Sequence, residues 1–307
     1  MDNLTHSLIG AALAQAGLKR RTGLAMPAAI IAANLPDIDA PCVVFGVRSL
    51  AMRRGITHGP IALIVLPLLL AALLIAFDRW QKRRGRRPMA RTPVNAGWLI
   101  AICYLAALTH PAFDWLNTYG IRLLEPFSSR WFYGDALFII DPWLLAMLGV
   151  GVWLSLRRER AGADRWTRPA HAALAAVMAY VFLNIAISRH AAALYAMDGE
   201  PEATVASPVP LAFWRREILW RSDHQFGSVH YTLLGPAAAI DRAVAMPTNM
   251  RDPRIADRAR ASAAARALLF WSRMPVAEIA GDTILLKDQR FMQGVSRGPF
   301  MARLPPQ

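Results

Sequence analysis

His110 and Asp114 stand four residues apart where an apolar run ends, in Thr109-His110-Pro111-Ala112-Phe113-Asp114. On a helix, residues i and i+4 share a face, so a single turn could aim an imidazole and a carboxylate at one cation. Asp2, His6, Asp37, Asp39 and His58 lie near the ends of other apolar stretches and offer the same ligand types. Zinc takes His nitrogen and carboxylate oxygen, and a catalytic zinc site keeps one position for water. The candidates exceed what one ion needs. Two ions bridged by a carboxylate, about 4 Å apart, would suit phosphoester hydrolysis because they hold both the attacking and the leaving oxygen. The expected cofactor is therefore one or two Zn2+ ions, with Mn2+ as the other metal to consider. Only two cysteines occur, Cys42 and Cys103, which leaves no Cys-based zinc site and no disulfide framework.

The elements that must position these residues are apolar. The chain has 307 residues, 55% of them hydrophobic, above the usage of ordinary globular domains, which is just under about half. Ile61–Phe77 carries no charge across seventeen residues, near the lower limit for a membrane span. Val94–Leu108, Ile139–Leu156 and Ala170–Ile187 are further candidate spans. Leu8–Leu18 and Leu24–Leu35 are shorter than the roughly 20 residues a spanning helix needs, and read as tilted helices or a hairpin dipping into the bilayer.

The net charge of +14 is concentrated in short blocks beside these segments rather than in a nucleic-acid-binding face. Seven Lys/Arg lie between Asp78 and Pro93 and five between Ser155 and Pro169, against two Arg and four acids from His110 to Asp141. Basic loops remain cytoplasmic. Alternating the spans from those loops puts every candidate ligand on the outer face, although only Lys and Arg entered the assignment. The N-terminus lacks the basic n-region of a signal peptide. From about His190 the pattern changes. Ala203–Ala206, Phe213–Trp220 and Ile284–Leu286 read as strands, and Ile255–Trp271 has helical spacing. The expected architecture is mostly α: a polytopic helical membrane bundle over residues 1–190, followed by a small extracytoplasmic α+β domain over 191–307, with Gly199–Pro201 as the only hint of a linker.

Each candidate also has an ordinary reading. Asn34-Leu35-Pro36-Asp37 also reads as a helix stop, with Asp39 capping the next segment. Asp2, Asp135 and Asp141 could orient the histidines from outside the ligand set, but Gly134-Asp135 and Asp141-Pro142 are also common turn and helix-start chemistry, and that reading is favoured. Arg54 could meet a substrate phosphate bidentately or rest among headgroups. Trp115, Trp131, Trp143 and Trp153 fit an interfacial aromatic belt. His171 reads as interfacial, and His190, His224 and His230 are not expected to bind metal.

Taken in order, Asp2-x-x-Thr5-His6-Ser7, Asn34-Leu35-Pro36-Asp37-Ile38-Asp39, Arg54-Gly55-Ile56-Thr57-His58-Gly59 and Thr109-His110-Pro111-x-x-Asp114 resemble a known family. It is the YdjM-like group of membrane-bound metal-dependent hydrolases of bacterial inner membranes, described as LexA-regulated. The motifs cover roughly residues 1–187, and the segment around Pro208–Trp220 looks like the family's C-terminal part. The ligand order is also similar to that of zinc-dependent phospholipase C and its single-strand nuclease relatives. On that likeness His58, Asp37 or Asp39, and His110 hold one ion, Asp114 bridges, and His6 holds a second. Those enzymes use a trinuclear site and a free N-terminal amine, and this sequence has no matching later His pair.

The expectation is an inner-membrane hydrolase acting on a phosphoester or phospholipid headgroup through metal-activated water, with Asp37 or Asp39 taking the proton. Its partner would be membrane lipid, with no nucleic acid. The competing expectation is a non-catalytic, metal-stabilised scaffold or partner-binding protein. Transport would need ionisable groups near the bilayer midplane, and the interiors of Ile61–Phe77 and Val94–Leu108 have none.

Overall fold

The fold is taken from a computed structural model that describes residues 1–196, 201–234, 245–292 and 300–306. Gly199, the hinted linker, lies outside these residues. Contacts divide the chain into two compact units, one of Met1–Ile38 with Arg54–Leu183 and one of Asp39–Arg53 with Asn184–Gln307. The second unit thus begins slightly before the sequence-based boundary and also recruits an internal segment of the apolar N-terminal half.

The first unit is helical. It contains α1 (Asn3–Gln15), α2 (Ala25–Ala32), α4 (Pro60–Arg83), α5 (Ala96–Trp115) and α6 (Pro142–Arg160), together with most of α7 (Arg168–Ala196). Short 3-10 segments span Leu18–Arg20 and Ile56–His58. Among the described residues three helices, α4, α5 and α7, are long and apolar enough to cross a membrane, or up to four spans if Ala25–Ala32 and Leu35–Met52 count as one broken span. The α6 helix forms where the sequence places it but is not among the three; its last turn carries Arg157, Arg158 and Arg160. The core of this unit is lined with small residues, Ala25, Ala28, Ala29, Ala32, Ala33, Ala106 and Ala107 among them, with Leu99, Ile102 and Leu70 filling between. Small residues let helix backbones approach where dispersion rather than water exclusion drives packing. Gly10 is the limiting case, since a Cβ there would lie 2.5 Å from the Ala29 carbonyl oxygen of α2.

One end of this unit collects the basic residues. Lys19 pairs with Glu159 at the end of α6, Arg21 stacks over Trp98 at the start of α5, 4.9 Å from the ring centre, and Arg91 reaches Asp78 at 2.5 Å. Because α4 and α5 pack as neighbours across the basic loop after Arg83, the start of α4 and the end of α5 lie together at the other end. A helix the length of α4 spans about 36 Å at about 1.5 Å per residue, which separates the two ends.

The second unit holds a four-stranded antiparallel sheet of β1 (Ala203–Pro208), β2 (Arg215–Arg221), β3 (Gln225–Thr232) and β4 (Met246–Pro247), in that order. A three-stranded sheet comes next, of β5 (Pro275–Ala280), β6 (Thr283–Asp288) and β7 (Met301–Arg303). Between them lie α8 (Pro253–Ala261) and α9 (Ala263–Trp271). The short α3 (Ser49–Met52) packs on α9. Ile218, Val229 and Ala206 face Ala191 of α7 to form one small core.

Candidate metal centre

Residues of three chain segments meet at the end of the first unit away from the basic loops. Asp37 comes after α2, His58 closes the 3-10 turn before α4, and His110 and Asp114 lie on one face of the last turns of α5. All four are buried, His58, His110 and Asp114 completely, and they form the one convergent group of potential metal ligands among the described residues. Local sequence makes this possible. Gly59 lets the turn carrying His58 lie against the chain at Glu125, because a Cβ there would collide with the Glu125 carbonyl oxygen. Pro111 sits inside α5 although it cannot donate to the preceding turn.

His58 Nε2 and His110 Nε2 are 3.2 Å apart. Asp114 Oδ2 lies 3.4 Å from His110 Nε2 and 3.6 Å from His58 Nε2. Asp37 Oδ1 lies 3.8 Å and 3.9 Å from the same two nitrogens. Ligand atoms around a tetrahedral ion, each about 2.0–2.1 Å from it, are about 3.3 Å apart; these five separations lie at or a little above that spacing, and all four ligand atoms lie within 4.8 Å of one another. The outer nitrogens fix the rings: His110 Nδ1 donates to the Ala33 carbonyl at 2.7 Å, and His58 Nδ1 meets Thr57 Oγ1 at 2.9 Å. A neutral imidazole that donates through Nδ1 presents a lone pair at Nε2. Asp114 Oδ2 is buried and accepts no hydrogen bond. A buried carboxylate oxygen that accepts nothing, beside two imidazole nitrogens, is a place for a cation, and these four side chains could hold a metal ion.

The other oxygen of Asp114 faces a different group. Arg54 Nη2 lies 3.1 Å from Oδ1, the Met1 amine lies against it, and His6 Nε2 is 3.4 Å away. Burial pulls the Met1 amine below its ordinary pKa, against the opposing pull of Asp114. The His6 ring stacks on His110 with centres 3.8 Å apart, and neither of its nitrogens has a hydrogen-bond partner.

Other expected site residues lie elsewhere. Asp39 falls in the second unit with Arg53 at 3.8 Å, and is not one of the four converging ligands. Asp2 caps α1, its Oδ1 accepting from the Leu4 and Thr5 backbone N–H groups. Asp141 caps α6 and accepts from Tyr180 Oη at 3.0 Å. Asp135 adopts a left-handed backbone, φ 51°. Sequence reasoning missed Thr57, Asn117 and the Ala33 carbonyl. Thr57 adjoins a candidate ligand and could have been found; a backbone carbonyl carries no sequence signal.

The family model of the YdjM inner membrane protein matches residues 1–191, the stretch that holds all four converging ligands. This chain belongs to the YdjM inner membrane protein family. No curated protein and no solved structure matches it. Together with the three to four apolar helices, membership of the YdjM family supports an inner-membrane location. The YdjM match ends within α7, just before the strands of the second unit.

Proposed function

We propose that this chain is a membrane-bound metal-dependent hydrolase that cleaves a phosphoester or phospholipid headgroup at the periplasmic face. The observation that carries the reading is the convergence of Asp37 Oδ1, His58 Nε2, His110 Nε2 and Asp114 Oδ2 in a buried pocket of acceptors. A divalent ion held there would supply Lewis acidity and bring the pKa of water toward about 7. The chain's own groups would do the rest. The Ala33 carbonyl and Thr57 hold the two rings in register, and Asp37, whose Oδ1 lies 3.8 and 3.9 Å from the two imidazole nitrogens, is the candidate to take the proton from water. The periplasmic assignment rests on the basic residues gathered at the opposite end of the first unit, which the positive-inside rule assigns to the cytoplasm.

A second reading has its own observation. Four protein ligands fill a tetrahedral shell, as in closed structural sites, so the same residues would serve a metal-stabilised scaffold. Purified protein assayed for metal content and for hydrolysis of bis-p-nitrophenyl phosphate and phosphatidylglycerol vesicles separates the two. Turnover in the wild type and at least about a 100-fold loss in His110→Ala, with the helical circular dichroism retained, supports the hydrolase. Metal content without turnover in the wild type, and unfolding on its removal, supports the scaffold.

A further inference from the structure

We propose that Asp114 bridges one metal ion on Oδ2 and the guanidinium of Arg54 on Oδ1, so that the centre takes a single divalent ion. Arg54 is then a positioning residue standing where a second ion would bind. The proposal rests on the metal-binding reading and narrows it.

The two oxygens of Asp114 are in different company. Oδ2 faces the two imidazole Nε2 atoms, at 3.4 and 3.6 Å, and accepts no hydrogen bond. Oδ1 is 3.1 Å from Arg54 Nη2. A carboxylate bridging two ions across its two oxygens needs both open to metal, and here Oδ1 faces a guanidinium that is protonated at every relevant pH. The Arg54 cation is also held in place. Its Nη1 donates to Asn117 Oδ1 at 3.0 Å and to the Gly120 carbonyl at 3.2 Å. The guanidinium lies over the Tyr119 ring at 4.6 Å, and the Arg54 carbonyl accepts from the Arg122 N–H at 2.9 Å. Its backbone sits in the left-handed region, φ 54°, which a non-glycine residue keeps only where the surroundings over-determine it. The side chain is buried, with the residue 6% exposed, so the charge is not there to be solvated.

The ligand inventory on that side agrees. His6 Nε2, 3.4 Å from Oδ1, and the Met1 amine against the same oxygen are the other groups available, and with Oδ1 occupied by Arg54 the two fall short of the three or four protein ligands that zinc takes. Repulsion between a second dication and a fixed guanidinium a few ångströms away, in a buried site, works in the same direction.

The test uses the full chain in detergent, loaded with Zn2+ and freed of loose metal. Zinc per chain is measured by mass spectrometry and affinity by chelator competition, for wild type, Arg54→Gln, Arg54→Lys and His110→Ala. One ion per wild-type chain is expected, with affinity lowered about 10- to 100-fold in Arg54→Gln, the range for partners that orient a ligand, and partly restored in Arg54→Lys. A merely structural role would leave Zn2+ affinity unchanged in any Arg54 variant that still folds. Two ions per wild-type chain, or wild-type affinity in Arg54→Gln, overturns the Arg54 proposal while leaving the metal centre standing. Wild-type protein that retains no zinc, or retention that His110→Ala does not reduce, overturns the metal-binding reading and this proposal together. Should Arg54→Gln fail to fold, the wild-type stoichiometry and Arg54→Lys still decide it.

Discussion

At the scale of single residues, each imidazole ligand depends on a neighbour that is not itself a ligand. His110 is oriented by the Ala33 carbonyl, which no substitution of a side chain removes, whereas His58 is oriented by Thr57, which one can remove. Thr57→Val is close in shape and is expected to weaken Zn2+ binding about 10-fold with little change in the thermal unfolding of the metal-free protein; equal chelator-competition curves would refute it. The chemistry of these residues was legible before any fold, because ionisable groups are costly in a membrane and tend to be functional there. The division of labour among them was not. Asp37 and Asp39 are two residues apart and look interchangeable in sequence, yet Asp37 joins the cluster and Asp39 belongs with Arg53 in the other unit.

At the scale of elements, the site depends on how closely α1 and α2 approach and on well-terminated helices. Gly10 meets the α2 backbone with no room for a methyl group. Gly10→Ala is therefore expected to cost about 1–3 kcal/mol by overpacking and to loosen metal binding, since it pushes α1 from the helix that leads to Asp37. Unfolding by denaturant, with and without zinc, checks both effects. Asp141→Ala removes the α6 cap, donated to by the Trp143 and Leu144 N–H groups at 3.0 and 3.2 Å, at a cost of about 1 kcal/mol. It should leave metal stoichiometry unchanged, which separates a cap from a partner of the ligands.

Asp252 caps α8 with its carboxyl lowered from 3.8 to about 2, chiefly by the Arg254 side-chain hydrogen bond and then by the Arg254 backbone N–H. A carboxyl depressed in the folded state stabilises above its unfolded pKa. The stability gap between wild type and Asp252→Asn should therefore be constant above about pH 4 and shrink as pH falls through 3.8 toward 2. A gap that persists undiminished at pH 2 would refute this. The helices of the first unit follow from apolar runs, and β1, β2 and β6 from apolar or alternating segments, that are plain in the sequence. The β3 strand is less plain, because Gly227 interrupts its alternation and takes its place only under the Trp220 ring.

At the scale of the whole molecule, the basic residues at one end and the ligands at the other set an expected orientation. A reporter fused after Gly85 should behave as cytoplasmic and one fused after Gly199 as periplasmic, read by phosphatase and fluorescent-protein activity. The reverse pattern would move the metal centre to the cytoplasmic face and remove the case for a periplasmic substrate. The properties determined by sequence alone are local or compositional: apolar segments long enough to cross a membrane, basic loops at their ends, and ligand types at fixed helical spacing such as His110 and Asp114. Each comes from properties a residue keeps wherever the chain goes. Only the tertiary structure decided which distant groups share a centre, because that depends on helix packing through small residues such as Gly10 and Ala29. It also decided that Asp114 turns one oxygen toward two imidazoles and the other toward Arg54, since a carboxylate's two oxygens are equivalent until the fold surrounds them differently.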